Sequence, residues 1–138
     1  MYSQEEIQIS TSGRGSFNVT RDVQRVVAAS GIQTGLCHVF ITHTSASLML
    51  CENADPTVRQ DLETFLGKMV PDGDPMFRHR SEGPDDMSAH IRTILTHNDL
   101  TIPVSNGHCS LGTWQGIYLC EHRTHPHQRS LVVTVQGE

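Results

Sequence analysis

The chain lacks several features that mark common classes of protein. It has no apolar run near the roughly 20 residues that cross a bilayer, so we expect no membrane span. Lys and Arg number 10 against 15 Asp and Glu, and the formal net charge is -5. Sequence-independent binding of nucleic acid needs clustered basic residues, so we expect no nucleic-acid partner. The N-terminus has neither the basic nor the apolar region of a secretory signal, which indicates a cytoplasmic protein.

Local motifs for metals and nucleotides are also absent. The sequence contains no C-x-x-C pair, no H-E-x-x-H, no Walker sequence and no G-x-G-x-x-G. Its four cysteines are far apart in the chain, and we expect reduced thiols rather than disulfides or a thiolate metal site. Any site must therefore be assembled from separate segments. The cysteines are Cys37, Cys51, Cys109 and Cys120.

The hydrophobic pattern predicts a single α+β domain over residues 1–138, with a mostly antiparallel or mixed β-sheet covered by helices. Strands are predicted around "EEIQIST", "TGLCHVFITH", "SLMLCE" and "SLVVTVQG". Two more flank the Asn-Gly turn between "LTIPVS" and "GIYLCEHR", and "GRGSFN" is predicted as a turn.

Three helices are predicted from capping residues and apolar spacing. The first is capped by Thr20 and ends at Gly31. The second begins at Asp55-Pro56, and the third is capped by Asp86. The buried stripes are predicted as Val23, Val26 and Val27; Val58, Leu62, Phe65, Leu66 and Met69; and Met87, Ile91, Ile94 and Leu95, with His90 at the border of the third. The intervening "VPDGDPMFRHRSEGPDD" is predicted as a surface loop that covers a site or contacts another subunit.

Histidine is abundant, with nine residues, and three of them stand at or near the ends of regular elements. These are His43, His90 and His122. Rigid supports and an open fourth position are what a three-histidine metal site requires, so these three are the predicted ligands of a divalent ion, preferably zinc. His125 and His127 form an alternative cluster in a turn, while His38, His79 and His97 are interpreted as background.

Two other groups of polar residues have candidate chemistry. Glu52 and Asp61 are the candidate proton-transfer residues, with Asn53 and Asp55 nearby. Hydroxyls and amides in "HTSAS" and "LGTWQG", together with an arginine, suit a phosphate in a chain without a basic patch. The predicted substrate- and phosphate-binding residues are Thr44, Ser45, Asn53, Thr113, Gln115 and Arg123.

Three segments together resemble the YjbQ family, described as secondary thiamine-phosphate synthase. They are "CHVFITHTSASLMLCENADPTVRQDL", "DDMSAHIRTILT" and "IPVSNGHCSLGTWQGIYLCEHR". The resemblance implies a compact α+β domain that forms a homotrimer, with histidines in a pocket that holds a metal or an anion. It matches His43, His90 and His122 to the family's site. The sequence departs from the pattern at Ser88, where the family usually has proline.

These observations predict a metal-assisted enzyme that acts on a small phosphorylated metabolite. The reaction implied by the resemblance joins hydroxymethylpyrimidine pyrophosphate to thiazole phosphate and releases pyrophosphate. A metal-dependent phosphoesterase is the alternative within enzymes. A non-catalytic metabolite-binding module is the alternative outside them.

Overall fold

The computed structural model describes residues 1–138, which form eight strands and three helices. In chain order the elements are β1 (Tyr2–Ser10), β2 (Gly15–Asn18), α1 (Thr20–Ser30), β3 (Thr34–Ile41), β4 (Ala46–Glu52), α2 (Pro56–Met69), α3 (Asp86–Leu95), β5 (Asp99–Ser105), β6 (His108–Cys109), β7 (Gln115–Glu121) and β8 (Gln128–Gly137). No helix has both the length and the apolar character needed to span a bilayer.

The strands form two sheets in one α+β domain. The five-stranded sheet has the order β1-β8-β3-β5-β6, and the three-stranded sheet has the order β2-β7-β4. Every neighbouring pair is antiparallel. The α+β class is confirmed, but the sheet expected as one is divided in two, because β4 pairs with β7 rather than with β3. A backbone hydrogen bond of 2.8 Å from Leu48 N to His97 O links the small sheet to the segment before β5.

The hydrophobic core lies where the two sheets and α1 meet. Alternate residues of β8 and β5 are buried, as the period of two predicts for strands with one covered face. The stripe predicted for α1 is confirmed, since Val23, Val26 and Val27 are all buried. Gly31 ends α1 with a φ of 73°, the left-handed conformation that glycine adopts without a steric penalty.

Three predictions at element ends are wrong. The segment predicted as a turn contains β2, which pairs with β7. Thr20 is the first residue of α1 rather than its cap, and its hydroxyl accepts a hydrogen bond from Ile117 N (2.9 Å). Asp86 likewise lies inside α3, and the preceding Asp85 makes no side-chain cap. In the two capping cases, contacts made elsewhere occupy the side chain that local capping would have used: Ile117 N for Thr20, and His79 with His90 for Asp86.

The second helix begins as predicted but contains no fully buried residue. Asp55 caps it by accepting from Thr57 N (3.0 Å), with Pro56 at the first position. No residue of α2 is buried, although its apolar stripe was predicted to face the core. Leu62, Phe65 and Met69 are 40%, 62% and 51% exposed. The stripe instead borders a groove against the small sheet.

The third helix buries its polar face, contrary to the prediction. Ile94 and Leu95 are 77% and 55% exposed, whereas Arg92 is 1% exposed. Arg92 is tolerated inside because its guanidinium pairs with Glu63 of α2. The other buried residues of α3 are Asp86, Ser88, Ala89 and Thr93. All four cysteines are free thiols, as predicted.

Candidate metal site

Three side chains at the start of α3 and in the loop before it come within ligand distance of one another. They are His79, Asp86 and His90, and their ligand atoms all lie within 4.8 Å of each other. Asp86 Oδ2 is 2.6 Å from His79 Nε2 and 3.2 Å from His90 Nε2. No other set of three His, Cys, Asp or Glu side chains meets this spacing. The carboxylate is buried, while both imidazoles are partly exposed.

Helical geometry explains two of these three positions. Asp86 is the first residue of α3 and His90 lies four residues later, so the two side chains occupy the same face one turn apart. His79 comes from the long loop between α2 and α3. That loop was predicted to cover a site, and its histidine completes this one.

The hydrogen bonds of His90 require a positive charge here, either on its own ring or on a bound cation. His90 Nδ1 lies 2.9 Å from Thr44 O, and a carbonyl oxygen only accepts, so Nδ1 must donate. In a neutral ring Nε2 then carries a lone pair, and this lone pair faces the Asp86 carboxylate. Two acceptors at this distance require a positive charge between them or on the ring. A backbone carbonyl that fixes the tautomer in this way is also typical of histidines that bind metals.

Asp86 is held in place from its other side. Arg123 Nη1 lies 2.9 Å from Asp86 Oδ1, while Arg123 Nε contacts Asp85 Oδ2 at 2.9 Å. Burial raises the pKa of Asp86, but the hydrogen bond from His79 and the charges of His90 and Arg123 outweigh it and leave the pKa below its ordinary value. The carboxylate is therefore ionised at neutral pH, as a metal ligand must be.

Arg123 was predicted to bind phosphate, and the structure places it in internal contacts. Besides the two aspartates, its Nη2 donates to Glu82 O (2.9 Å). The guanidinium thus orients the carboxylates of Asp85 and Asp86 rather than facing an open cavity. Thr44 and Ser45 are nearby, where Thr44 O holds His90 and the buried Ser45 Oγ accepts from Arg129 Nη2 (3.0 Å).

Of the three predicted ligands, only His90 belongs to the cluster. His43 Nε2 accepts from Ser130 N (2.8 Å), so this ring is bound to β8. His122 is buried, and its Nε2 lies 2.8 Å from Ser47 Oγ. Burial, reinforced by the charge of Arg92, lowers the pKa of His122 to about 4. His79, which was interpreted as background, is the second histidine of the cluster.

The remaining predicted residues gather elsewhere. Glu52 accepts hydrogen bonds from Ala54 N (3.0 Å) and Asp55 N (2.9 Å), which closes the turn before α2. Asn53 Nδ2 contacts Gln115 O at 3.3 Å, and it also contacts Thr113 O at 3.4 Å. Asp61 is exposed on α2, and its side chain makes no hydrogen bond or ion pair within the chain.

The two groups lie at opposite ends of one strand pair. In the β4–β7 ladder, Glu52 pairs with Gln115 at one end, and Ala46 pairs with Glu121 at the other. Seven extended residues span about 20 Å. Within one chain, Glu52, Asn53, Thr113 and Gln115 are therefore separated from Ser45, His122 and Arg123 by the length of the strand.

A buried ion pair between the end of β7 and the start of β8 was missed from the sequence. Arg129 Nε donates to Glu121 Oε1 (2.8 Å), and Arg129 Nη2 pairs with Glu121 Oε2. Glu121 is 0% exposed and Arg129 is 4% exposed. Their signal was available, because each stands two residues from a buried leucine of its strand: Glu121 follows Leu119 in β7, and Arg129 precedes Leu131 in β8.

Comparison with known proteins places this fold and sequence in one family. The model of the YjbQ-like UPF0047 family matches residues 5–138. A UPF0047 protein of Synechocystis is 51% identical over 135 residues, which cover 98% of this chain and 92% of that protein. The UPF0047 protein YjbQ of Salmonella typhimurium is 43% identical over 139 residues, with full coverage of both chains.

Solved structures agree in fold. A YjbQ/UPF0047 family protein of Clostridium acetobutylicum superposes with a TM-score of 0.87 at 34% identity, covering 96% of this chain and 99% of that one. A YbjQ-like protein of Sulfolobus solfataricus reaches the same TM-score at 23% identity with full coverage of both, which shows the shared fold. On the family match, the relatives and the fold together, the chain belongs to the UPF0047, or YjbQ-like, family.

Proposed function

We propose that this protein is a metal-dependent enzyme acting on a small phosphorylated metabolite, with His79, Asp86 and His90 as the ligands of a divalent zinc ion. The observation that supports it most is the spacing of the cluster, in which Nε2 of both histidines lies within 3.2 Å of the Asp86 carboxylate and His90 Nδ1 contacts Thr44 O. Two imidazoles and one carboxylate are a donor set typical of catalytic zinc, which keeps a further position open.

The chain's own residues orient the ligands. Thr44 O fixes the tautomer of His90, and Arg123 holds the second oxygen of Asp86. A bound zinc ion would supply Lewis-acid polarisation of a phosphoryl oxygen. His79 and His90 have side chains that are 44% and 32% exposed, so solvent and a small substrate reach this side of the cluster.

A cavity beside His79 offers space for a substrate. It has a volume of about 440 Å³, and it is lined by Asp74, Phe77, His79 and Arg80 together with glycines and prolines of the same loop. Arg80 donates from Nε to Phe77 O and from Nη2 to Pro75 O, which leaves Nη1 without a partner in the protein. This free N–H favours an anionic group such as a phosphate.

Thiamine-phosphate synthesis, implied by the family resemblance, is the reaction we propose to test first. Transfer to a carbon–nitrogen bond with release of pyrophosphate supports it, and release of free phosphate from esters supports a phosphoesterase. Binding of a phosphorylated metabolite without turnover would support the non-catalytic binding module instead. Glu52 and Asp61 stay predictions as proton-transfer residues. Within one chain, the ladder position of Glu52 separates it from the cluster.

Measuring the metal content of variants distinguishes the observed cluster from the predicted histidine triple as the set of metal ligands. We expect protein purified without a histidine tag to bind about one zinc per chain, measured by elemental analysis and titration calorimetry. Asp86→Asn and His79→Gln should lose this zinc, whereas His125→Gln, an exposed histidine outside the cluster, should retain it. Retention of zinc by His79→Gln and loss by His43→Gln or His122→Asn would contradict the proposed ligand set.

The homotrimer and the cytoplasmic location also stay predictions. Exposed apolar side chains on the outer face of β3, at Leu36 and Phe40, support association of copies because apolar surface of this kind is often buried between subunits. Sedimentation equilibrium at several protein concentrations measures the oligomeric state directly.

A further inference from the structure

A groove separate from the metal cluster lies between α2 and the small sheet. Its volume is about 580 Å³, within the range of small-molecule sites. Residues of α2 form one wall, Leu95 lines the groove from the end of α3, and Ser16, Met49 and Cys120 line it from the small sheet. None of the three cluster residues lines it.

One face of α2 supplies most of the apolar lining. Leu62, Leu66 and Met69 are spaced four and three residues apart, so they share one face of the helix, with Phe65 beside them. All four line the groove, and none is buried. The stripe is therefore left uncovered within the chain, and an elongated apolar body lying along it would remove it from water.

An arginine with no ion pair precedes this stripe on α2. Arg59 lies three residues before Leu62, is half-buried and lines the groove. Its Nη1 donates to Glu52 O (3.0 Å), and its guanidinium lies over the Tyr118 ring, 4.8 Å from the ring centre. Neither contact supplies a negative charge, because one partner is a backbone carbonyl and the other is an uncharged ring. The Nε and Nη2 groups of Arg59 donate to nothing within the chain.

The charge of Arg59 is the only uncompensated one in the lining. Glu63, the only carboxylate there, pairs with the buried Arg92 and lies 4.0 Å from Arg14 Nε. His122 is the only histidine there, and burial lowers its pKa to about 4, so it is neutral at neutral pH. The groove therefore combines an apolar stripe with one positive charge towards the start of α2.

The length of the stripe sets the length of a matching ligand. From Arg59 to Met69 the helix rises by ten residues, or about 15 Å at about 1.5 Å per residue. An extended saturated chain of about ten carbons, with bonds of about 1.5 Å, covers nearly the same distance.

The free nitrogens of Arg59 favour a carboxylate as the charged group. Nε and Nη2 form one edge of the guanidinium, which can donate two parallel hydrogen bonds to the two oxygens of one carboxylate. A single arginine balances a single charge, so a carboxylate fits better than a phosphate ester, which carries a charge of about -1.5 to -2.

We propose that this groove binds a medium-chain carboxylate, an unbranched apolar chain of about ten carbons that ends in one carboxylate. The carboxylate pairs with Arg59, and the chain covers the apolar stripe of α2. This site goes beyond the metal-dependent reaction and does not depend on it, so either can fail without the other.

Titration calorimetry with three probes of equal chain length tests the ligand class. We expect decanoate to bind with a 1:1 stoichiometry and 1-decanol to bind about tenfold more weakly, because it keeps the apolar chain and lacks the charge. Decylamine, which is protonated at neutral pH, should bind more weakly still, because its charge repels Arg59. Equal affinity for decanoate and 1-decanol, or no saturable binding of decanoate below its micellar concentration, would overturn the proposal.

Arg59→Met separates the contribution of the charge from that of the apolar chain. The variant should bind decanoate about tenfold more weakly and should bind 1-decanol within about twofold of the wild-type affinity, because methionine keeps an unbranched apolar stem. Arg21→Met is the matched control, since Arg21 is an exposed helix arginine that does not line the groove. Undiminished decanoate binding, or an equal loss for both probes, would refute the proposed ion pair.

Phe65→Ala locates the apolar chain of the probe. It should weaken binding of decanoate and 1-decanol alike, by at least about threefold, because it removes apolar contact area. Phe65 is exposed, so the change should not prevent folding. Ile94→Ala is its control, because Ile94 is an exposed apolar helix residue that does not line the groove. If wild-type protein binds neither probe and Phe65→Ala dissociates an oligomer, a second copy of the chain covers the groove and the proposal is wrong.

Discussion

Removing one partner of the buried Glu121–Arg129 pair should destabilise the protein strongly. Glu121 accepts from Thr11 Oγ1 (2.7 Å) and Arg123 N (3.1 Å) as well as from Arg129. Burial raises the pKa of Glu121, but these hydrogen bonds and the charge of Arg129 hold it below its ordinary value. Arg129→Met therefore leaves an ionised carboxylate in the interior without its counter-charge.

The expected loss follows from the burial of both groups. Breaking a fully buried ion pair from one side costs about 3–5 kcal/mol, a large part of the roughly 5–15 kcal/mol that stabilises a domain. Arg129 also donates to Ser45 Oγ (3.0 Å), so that contact is lost as well. The double variant Glu121→Leu/Arg129→Met should cost less than Arg129→Met alone, since no unpaired charge remains.

Urea unfolding followed by circular dichroism measures both values. With a slope near 2 kcal/mol per molar urea, Arg129→Met should lower the midpoint by about 2 M. Arg25→Met is the control, because the Arg25–Glu5 pair is exposed and should contribute little. A loss below about 1 kcal/mol for Arg129→Met, or a double variant no more stable than the single one, would refute the reasoning.

Three further predictions concern pH and backbone packing. Because the pKa of His122 falls from 6.5 to about 4 on folding, the free energy of unfolding should decrease by up to about 3 kcal/mol as the pH drops from 6.5 towards 4. Unfolding curves of His122→Asn across that range should lose this part of the slope; an unchanged slope would contradict it. Gly35→Ala should destabilise by roughly 3 kcal/mol or more, because a Cβ there would lie 1.9 Å from Gln136 O. Gly67→Ala, inside α2 with its nearest neighbour 3.9 Å away, should instead stabilise by about 0.5–1 kcal/mol in the same thermal or urea assay.

Local physics made much of the fold predictable from the sequence. The start of α2 at Asp55-Pro56 and the end of α1 at Gly31 depend on backbone groups within a few residues, so capping chemistry identifies them. The strands were found by their apolar content, and the motif around Gly112–Gly116 identified the family. The short strand β2 was not predicted, because its pairing partner, β7, is about a hundred residues away in the chain.

The candidate site was only partly predictable. Asp86 and His90 stand four apart on a predicted helix, which is a local signal for a shared face. The predicted partners of His90 were judged by their place at element ends, and that criterion excluded His79, a loop residue. Loop conformation depends on contacts across the molecule, so no spacing rule brings His79 to Asp86.

By itself, the sequence determined the secondary structure of most segments, the α+β class and the family, because these depend on periodicity, capping and local motif. Tertiary structure alone decided that α2 leaves its apolar stripe exposed and that α3 buries its polar face. Burial depends on which surfaces of the protein pack against each helix. Tertiary structure also decided that the family motifs divide between the two ends of the β4–β7 ladder. The pairing of β4 with β7, which are some sixty residues apart in the chain, sets the distance between the motifs. No local interaction encodes that pairing.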